Sequence, residues 1–151
     1  MGSERSRRGF TLIELALTLF VLALAAAIIA PGIGRSVETV RARAEISGFA
    51  AYLRAAREQA IMRGEAQAVR LDPEGRSLVI TAAGSDAVRS SRSFTYLVSI
   101  EPDPPGALAV TFEPQGFSSG GTFHILAPGN RHYLVTVEPL TGRVSSRLAD
   151  S

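Results

Sequence analysis

The fold is decided by the stretch RRGFTLIELALTLFVLALAAAIIAPG, residues 7–32, in which two arginines are followed by an apolar run. From residue 10 to residue 30 every side chain is apolar except Thr11, Glu14 and Thr18. A helix of this length can cross a hydrocarbon layer of about 30 Å. The pattern therefore predicts a membrane-spanning helix over residues 10–30, with one carboxylate inside it.

The charge of the chain is concentrated at its start. Arg5, Arg7 and Arg8 precede the apolar run, and without residues 1–8 thirteen arginines face thirteen acidic residues. Positive flanks stay on the cytoplasmic side, so we expect the rest of the chain across the membrane. The net charge of +2 thus belongs to the N-terminal tip and not to a folded nucleic-acid-binding face. The absence of cysteine excludes disulfides and thiolate zinc sites.

Three simpler interpretations of the apolar run compete with a specialised one. A secretory signal peptide cut among the alanines of residues 23–30 would have an apolar region of about 7–15 residues and no carboxylate. A plain membrane anchor gives Glu14 no purpose, and an unpaired carboxylate at the centre of a membrane helix costs roughly 2.5–3.5 kcal/mol. A buried helix of a soluble domain leaves the arginine cluster unexplained.

Residues 9–14, GFTLIE, behind a short basic leader, resemble the class III signal of type IV pilins and type II secretion pseudopilins. The resemblance implies that a prepilin peptidase removes residues 1–9 by cutting between Gly9 and Phe10, and methylates the new amino terminus of Phe10. It also implies a partner for Glu14, the amine of a processed subunit, commonly a neighbour in the filament. Each charge is costly alone in an apolar bundle, so Glu14 is expected to act in assembly as a register device.

Pro31 and Gly32 follow the apolar run. Proline lacks a backbone donor and bends or ends a helix, and glycine loosens it further. Two interpretations remain, the end of the membrane helix and a kink or melted hinge within a longer helix. We favour the kink, which pilin-like helices often carry here.

After residue 35 the pattern becomes amphipathic. Six residues recur at spacings of three and four on one helical stripe, namely Ala42, Ile46, Phe49, Leu53, Ala56 and Ala60. The stripe is rich in alanine, which favours packing on the chain's own sheet over binding to a membrane surface or a partner. Arg63 and Gly64 give a helix stop, so the N-terminal helix is predicted over residues 10–63.

Beyond residue 63 the chain alternates short β-branched or aromatic runs with turn signals. The expected strands are QAVRLD and SLVITA, paired as a hairpin, then SFTYLVSI, LAVTFE, TFHILA, YLVTVE and finally GRVSSRL. Residues 82–92 are expected to form a mobile loop and residues 101–106, EPDPPG, a stiff turn. The predicted fold class is α+β, pilin-like: a long N-terminal hydrophobic helix followed by a head of antiparallel sheet, residues 64–151.

Enzymatic and metal chemistry find little support in the sequence. His124 and His132 fall in different strands without a third ligand, so no metal site is predicted. GFSSGGT, residues 116–122, lacks the lysine and helix of a phosphate loop and is interpreted as a turn. No nucleophile and base pairing stands out and no cofactor is expected. We interpret the chain as a substrate of a prepilin peptidase and not as an enzyme.

The head carries a second resemblance. FEPQG at residues 112–116, GGT at 120–122 and TGRV at 141–144 look like the pattern of GspH/FimT-type minor pseudopilins and pilins. This implies a minor subunit of a type II secretion system, held in the bacterial inner membrane by a single span with its N-terminus cytoplasmic and its head periplasmic. The expected partners are other pseudopilins and the inner-membrane secretion platform, in a pseudopilus that drives protein export across the outer membrane.

The alternative is a FimT-like minor type IV pilin, involved in pilus assembly or DNA uptake. DNA capture needs exposed arginines that neutralise phosphates, and Arg131, Arg143 and Arg147 are the candidates. DNA-binding members resemble one another in a Gly-Arg-x-Arg near the C-terminus. Here Ser145 stands where the second arginine would be, which counts against this interpretation.

Overall fold

The computed structural model of the chain describes residues 10–95 and 98–149, with side chains at residues 10–28, 37–95 and 98–149. The described residues form one helix and eight strands. The helix, α1, spans Leu12–Arg63. The chain divides into two compact units, Met1–Val37 and Glu38–Ser151, and all the strands belong to the second unit.

Helix α1 continues through Pro31 and Gly32. The helix itself therefore does not end at these residues, and whether the membrane-spanning part ends there stays a prediction. The side chains of residues 29–36 lie outside the described residues, and a kink at Pro31 and Gly32 stays a prediction. The helix ends at Arg63, and the next residue, Gly64, has a φ of 65°, the left-handed conformation that glycine adopts after a helix C-terminus.

Within the described part of the chain, no helix is both long enough and apolar enough to cross a membrane. The predicted membrane segment, residues 10–30, includes residues 29 and 30, whose side chains lie outside that part, and it stays a prediction.

The strands form two antiparallel four-stranded sheets. In the first sheet the order is β3-β2-β1-β5, and in the second it is β4-β6-β7-β8. The bounds are β1 Gln67–Leu71, β2 Ser77–Ala82, β3 Val88–Ser93, β4 Ser99–Asp103, β5 Ala109–Phe112, β6 Gly121–Ala127, β7 Arg131–Val137 and β8 Val144–Ala149. The predicted α+β class and the β1–β2 hairpin are confirmed.

Two expectations about the head hold only in part. Residues 82–92, expected as a mobile loop, contain most of β3, whose polar residues pair with β2 through a register shift at Ile80 and Thr81. The expected turn at residues 101–106 overlaps β4, which extends to Asp103. Among the described strands, β4 lies at the edge of its sheet and pairs with β6 alone. Proline has no N–H to donate to a neighbouring strand, and an edge strand tolerates Pro102 because one of its sides has no neighbour. The expected strand SFTYLVSI, residues 93–100, is not one strand, because β3 ends at Ser93 and β4 begins at Ser99.

The second half of α1 packs on both sheets. All six residues of the predicted stripe are 4% exposed or less, so packing on the chain's own sheet is confirmed. Phe49 lies at the centre, with its ring centroid 5.7 Å from that of Phe94 and 5.2 Å from that of Phe123. Phe94 follows β3 and Phe123 belongs to β6. One helical side chain therefore joins residues from both sheets in a single core.

Candidate functional site

Helix α1 begins with a capped turn inside the GFTLIE motif. The Thr11 hydroxyl accepts the backbone N–H of Glu14 at 3.3 Å, and the Thr11 carbonyl accepts that of Leu15 at 3.1 Å. The Glu14 N–H also donates to the Thr11 carbonyl at 3.1 Å, so the hydroxyl is a second acceptor for a donor of the first turn. Glu14 lies three residues after the cap, where the helix dipole favours a carboxylate and where a capping box places glutamate. The sequence analysis did not single out Thr11 as a helix cap, although its Thr-x-x-Glu spacing is visible in the sequence.

The other polar groups near the motif are satisfied within the helix. The Thr18 hydroxyl lies 2.8 Å from the carbonyl oxygen of Leu15 and 3.0 Å from that of Glu14, to which it donates. Such back-bonding lets a threonine enter an apolar segment without an unpaired hydroxyl. No described residue supplies a hydrogen bond or ion pair to the Glu14 carboxylate. Gly9, the other half of the predicted cleavage site, lies outside the described residues.

The N-terminal part of α1 exposes a continuous apolar surface. Phe10 is 76% exposed, and each large apolar side chain between residues 12 and 24 is more than half exposed. Soluble monomers rarely expose apolar patches beyond a few hundred Å². This surface is therefore suited to lipid or to other apolar helices.

In the head, two arginines of α1 reach the segment before β8. Arg57 Nε donates to the carbonyl of Thr141 at 3.0 Å, and an Arg54 terminal nitrogen donates to that of Val144 at 3.2 Å. With Glu58 and Arg143 they line a cleft of about 530 Å³. We call this the arginine cleft. Sequence reasoning could not find it, because its halves lie more than eighty residues apart.

The shape of the arginine cleft depends on Gly142. This residue is buried and has a φ of 61°, a conformation that favours glycine. A Cβ placed on Gly142 would lie 2.6 Å from the carbonyl oxygen of Gly116 and 2.9 Å from Arg57 Nε. Two of the sequence patterns that carried the head resemblance, FEPQG and TGRV, thus meet here in direct backbone contact.

The three arginines proposed for DNA contact are not gathered in one place. Arg143 lines the arginine cleft, whereas Arg147, in β8, lines a separate groove of about 360 Å³ with Arg43 and Tyr133. Arg143 and Arg147 are separated by four residue steps, which is roughly 13 Å along an extended chain. Residues paired across neighbouring strands lie on the same face of a sheet, and successive residues alternate between faces. Arg131 pairs with Ala127, whose side chain faces the core. Arg147 pairs with Leu134, which lies three residues after Arg131 on β7 and hence on the opposite face. Arg131 therefore belongs to the other face of the sheet.

The two histidines are not directly opposite each other. His124 pairs with Leu134 and His132 with Leu126, so they are diagonal neighbours on β6 and β7. His124 Nε2 lies 3.7 Å from a carboxylate oxygen of Asp103 on β4. Among the residues that the structure describes, no group of three histidines or acids could hold a metal ion.

Family comparisons match the chain at both ends. Residues 5–30 match the model of the prokaryotic N-terminal methylation motif, and residues 45–141 match that of the type II transport protein GspH. The second match covers more than half of the chain. The chain therefore belongs to the GspH family, a family of pilin-like proteins. Comparison with curated protein sequences gives no match.

Solved structures show the same fold. The type IV minor pilin FimU of Pseudomonas aeruginosa has a TM-score of 0.60 at 18% identity, covering 72% of this chain and 98% of its own. The minor pseudopilin EpsH from the type 2 secretion system of Vibrio cholerae has a TM-score of 0.53 at 19% identity, covering 72% of this chain and 96% of its own. At this identity the similarity establishes the pilin-like fold.

Proposed function

We propose that the chain is a minor pseudopilin of a type II secretion system, processed between Gly9 and Phe10 and built into a periplasmic pseudopilus that drives protein export. The observation that carries the proposal is that one chain contains both an N-terminal methylation motif, at the start of an exposed apolar helix, and a head that matches the GspH family. The chain is held in the inner membrane by residues 10–30, with its head in the periplasm. Its role is structural, and its only enzyme partner is the prepilin peptidase.

The capped turn explains how Glu14 serves in assembly. The Thr11 hydroxyl binds the Glu14 backbone N–H in the first turn, which sets the backbone position from which the Glu14 carboxylate extends. The described residues leave this carboxylate without a partner, and an unpaired charge in an apolar bundle is costly. The methylated amine of a neighbouring processed subunit supplies the missing cation. A subunit is then stable in the filament only in the register that brings the two charges together.

The test compares Glu14→Gln with Glu38→Gln, in a chain produced together with the peptidase and the other pseudopilins. Both variants remove one exposed carboxylate from α1, but only the first lies in the motif. We expect both to be cleaved, and only Glu14→Gln to be lost from the sheared filament fraction. Equal incorporation of the two variants would refute the role of Glu14, and failure of cleavage in the unaltered chain would refute the processed-subunit proposal itself.

A second candidate function is DNA uptake by a FimT-like minor pilin. The observation in its favour is that Arg143 lies beside Arg54 and Arg57 in one cleft, since closely spaced guanidinium groups can neutralise phosphates. The scattered positions of Arg131 and Arg147 favour it less. A gel-shift titration of the chain with duplex DNA at low salt decides between the functions. Binding that is lost in Arg143→Ala and kept in Arg76→Ala supports DNA capture, and no binding removes it.

A further inference from the structure

We propose that the arginine cleft, with two exposed apolar side chains beside it, is the docking surface for an acidic segment of a neighbouring subunit. The inference rests on the proposed function for the identity of the partner. The cleft itself is defined by Arg54, Arg57, Glu58 and residues 141–144.

The first reason is the surplus of positive charge. Three arginines and one acidic residue, Glu58, line the cleft. The carboxylate of Glu138 accepts the hydroxyl of the cleft residue Thr141 at 2.8 Å, so three cations stand against two acids. Among the described residues the ion pairs of arginine are made by Arg70, Arg76 and Arg89, all outside the cleft. A guanidinium carries five N–H donors, and Arg54 and Arg57 each use one on a backbone carbonyl. These backbone contacts hold the side chains in place and leave donors free for a carboxylate, which arginine binds in bidentate geometry.

The second reason is the apolar surface beside the cleft. Leu140 is 80% exposed and directly precedes the cleft residues, and Phe117 is 51% exposed. The loops that carry them are joined, because the Ser118 N–H donates to the carbonyl of Pro139 at 2.8 Å and the Ser118 hydroxyl to that of Glu138 at 2.8 Å. Exposed apolar side chains next to buried or fixed arginines are typical of the centre of protein interfaces.

Together the two features specify the chemistry of the partner. A nucleic-acid backbone would satisfy the arginines, but it offers no aliphatic surface to cover Leu140, and it would be repelled by Glu58. A peptide segment in which acidic residues alternate with large apolar residues covers both parts of the surface.

The experiment uses the full processed chain in a non-ionic detergent and a fluorescent, capped peptide Leu-Glu-Leu-Glu, followed by anisotropy. The control peptide has glutamine in place of glutamate, and duplex DNA is titrated in parallel. We expect the glutamate peptide to bind at least fivefold more tightly than the glutamine peptide. Arg143→Gln and Leu140→Ser should each weaken it about fivefold, the upper range for one exposed contact.

Two matched variants control for loss of charge and of apolar surface. Arg76→Gln and Val88→Ser alter exposed positions away from the cleft and should leave peptide binding unchanged. Absence of binding, equal binding of the two peptides, or equal weakening by the control variants would overturn the inference. Tighter binding of DNA, weakened by Arg143→Gln, would also overturn it, in favour of a nucleic-acid surface. Correct processing at Phe10 in the same preparation would show that the proposed function survives such a result.

Discussion

Replacing Gly142 with alanine should destabilise the head far more than the same replacement at Gly84. Both glycines have positive φ, 61° and 82°. Alanine in that region costs about 1–2 kcal/mol, partly offset by the reduced entropy of the unfolded chain. At Gly84 no atom lies within 4 Å of the added Cβ, so this backbone cost is the whole effect.

At Gly142 the added Cβ also collides with fixed backbone. It would lie 2.6 Å from the carbonyl oxygen of Gly116. The loop segments that contain Gly116 and Gly142 must therefore separate by about 0.7 Å to reach an ordinary C···O contact. Gly116 is itself held by a hydrogen bond from its N–H to the carbonyl of Glu113 at 2.9 Å. Overpacking of this kind costs about 1–3 kcal/mol more.

The assay is thermal and urea unfolding of a fragment that begins at Glu38, which contains every residue of the core. For a domain of this size we expect Gly142→Ala to lower Tm by about 4–12 °C more than Gly84→Ala does. The Arg57 contact with Thr141 should be lost at the same time, which an arginine side-chain NMR signal would report. Equal losses for the two variants would refute the close approach of residues 116 and 142.

Two further predictions concern the core and the helix cap. Phe49→Ala should lower the free energy of unfolding by about 3–5 kcal/mol, because Phe49 is fully buried between both sheets. Phe117→Ala, at a half-exposed site, should change it by about 0.5 kcal/mol or less. Similar losses for the two variants in urea unfolding would contradict this packing. Thr11→Val should modestly speed amide exchange of Glu14 in the full chain in detergent, because it removes the hydroxyl acceptor, worth about 0.5 kcal/mol, and keeps the Thr11 carbonyl acceptor. Thr18→Val is its control, since that hydroxyl binds carbonyls and not the Glu14 amide, and an unchanged rate in Thr11→Val would rule out the cap.

The sequence predicts those parts of the fold that are written in local periodicity. The stripe from Ala42 to Ala60 repeats at the helical period, and the β1–β2 hairpin shows alternation around a turn. Strand β3 was missed because VRSSRS has no apolar alternation, and it becomes a strand only by pairing with β2. The extent of β4 was missed because three prolines suggested a turn, and only the topology reveals that Pro102 lies on an edge.

The candidate sites divide in the same way. The GFTLIE motif is local and could be recognised from six residues, but the role of Thr11 as cap needed the helix start. The arginine cleft is nonlocal, since it depends on α1 packing beside β8 and on Gly142 lying against Gly116. The spacing of Arg54, Arg57 and Arg143 along the chain does not predict that they line one cleft.

The central claim is that this chain becomes a filament subunit by processing at its N-terminus. The measurement that tests it most directly is the mass of the N-terminal peptide, taken from membranes of cells that produce the chain together with a prepilin peptidase. The account predicts a peptide that begins at Phe10 and carries one added methyl group. A chain that still begins within residues 1–9, or that is cut near residues 27–30, would contradict it and leave Glu14 as an unexplained charge in an anchor or a secretory signal.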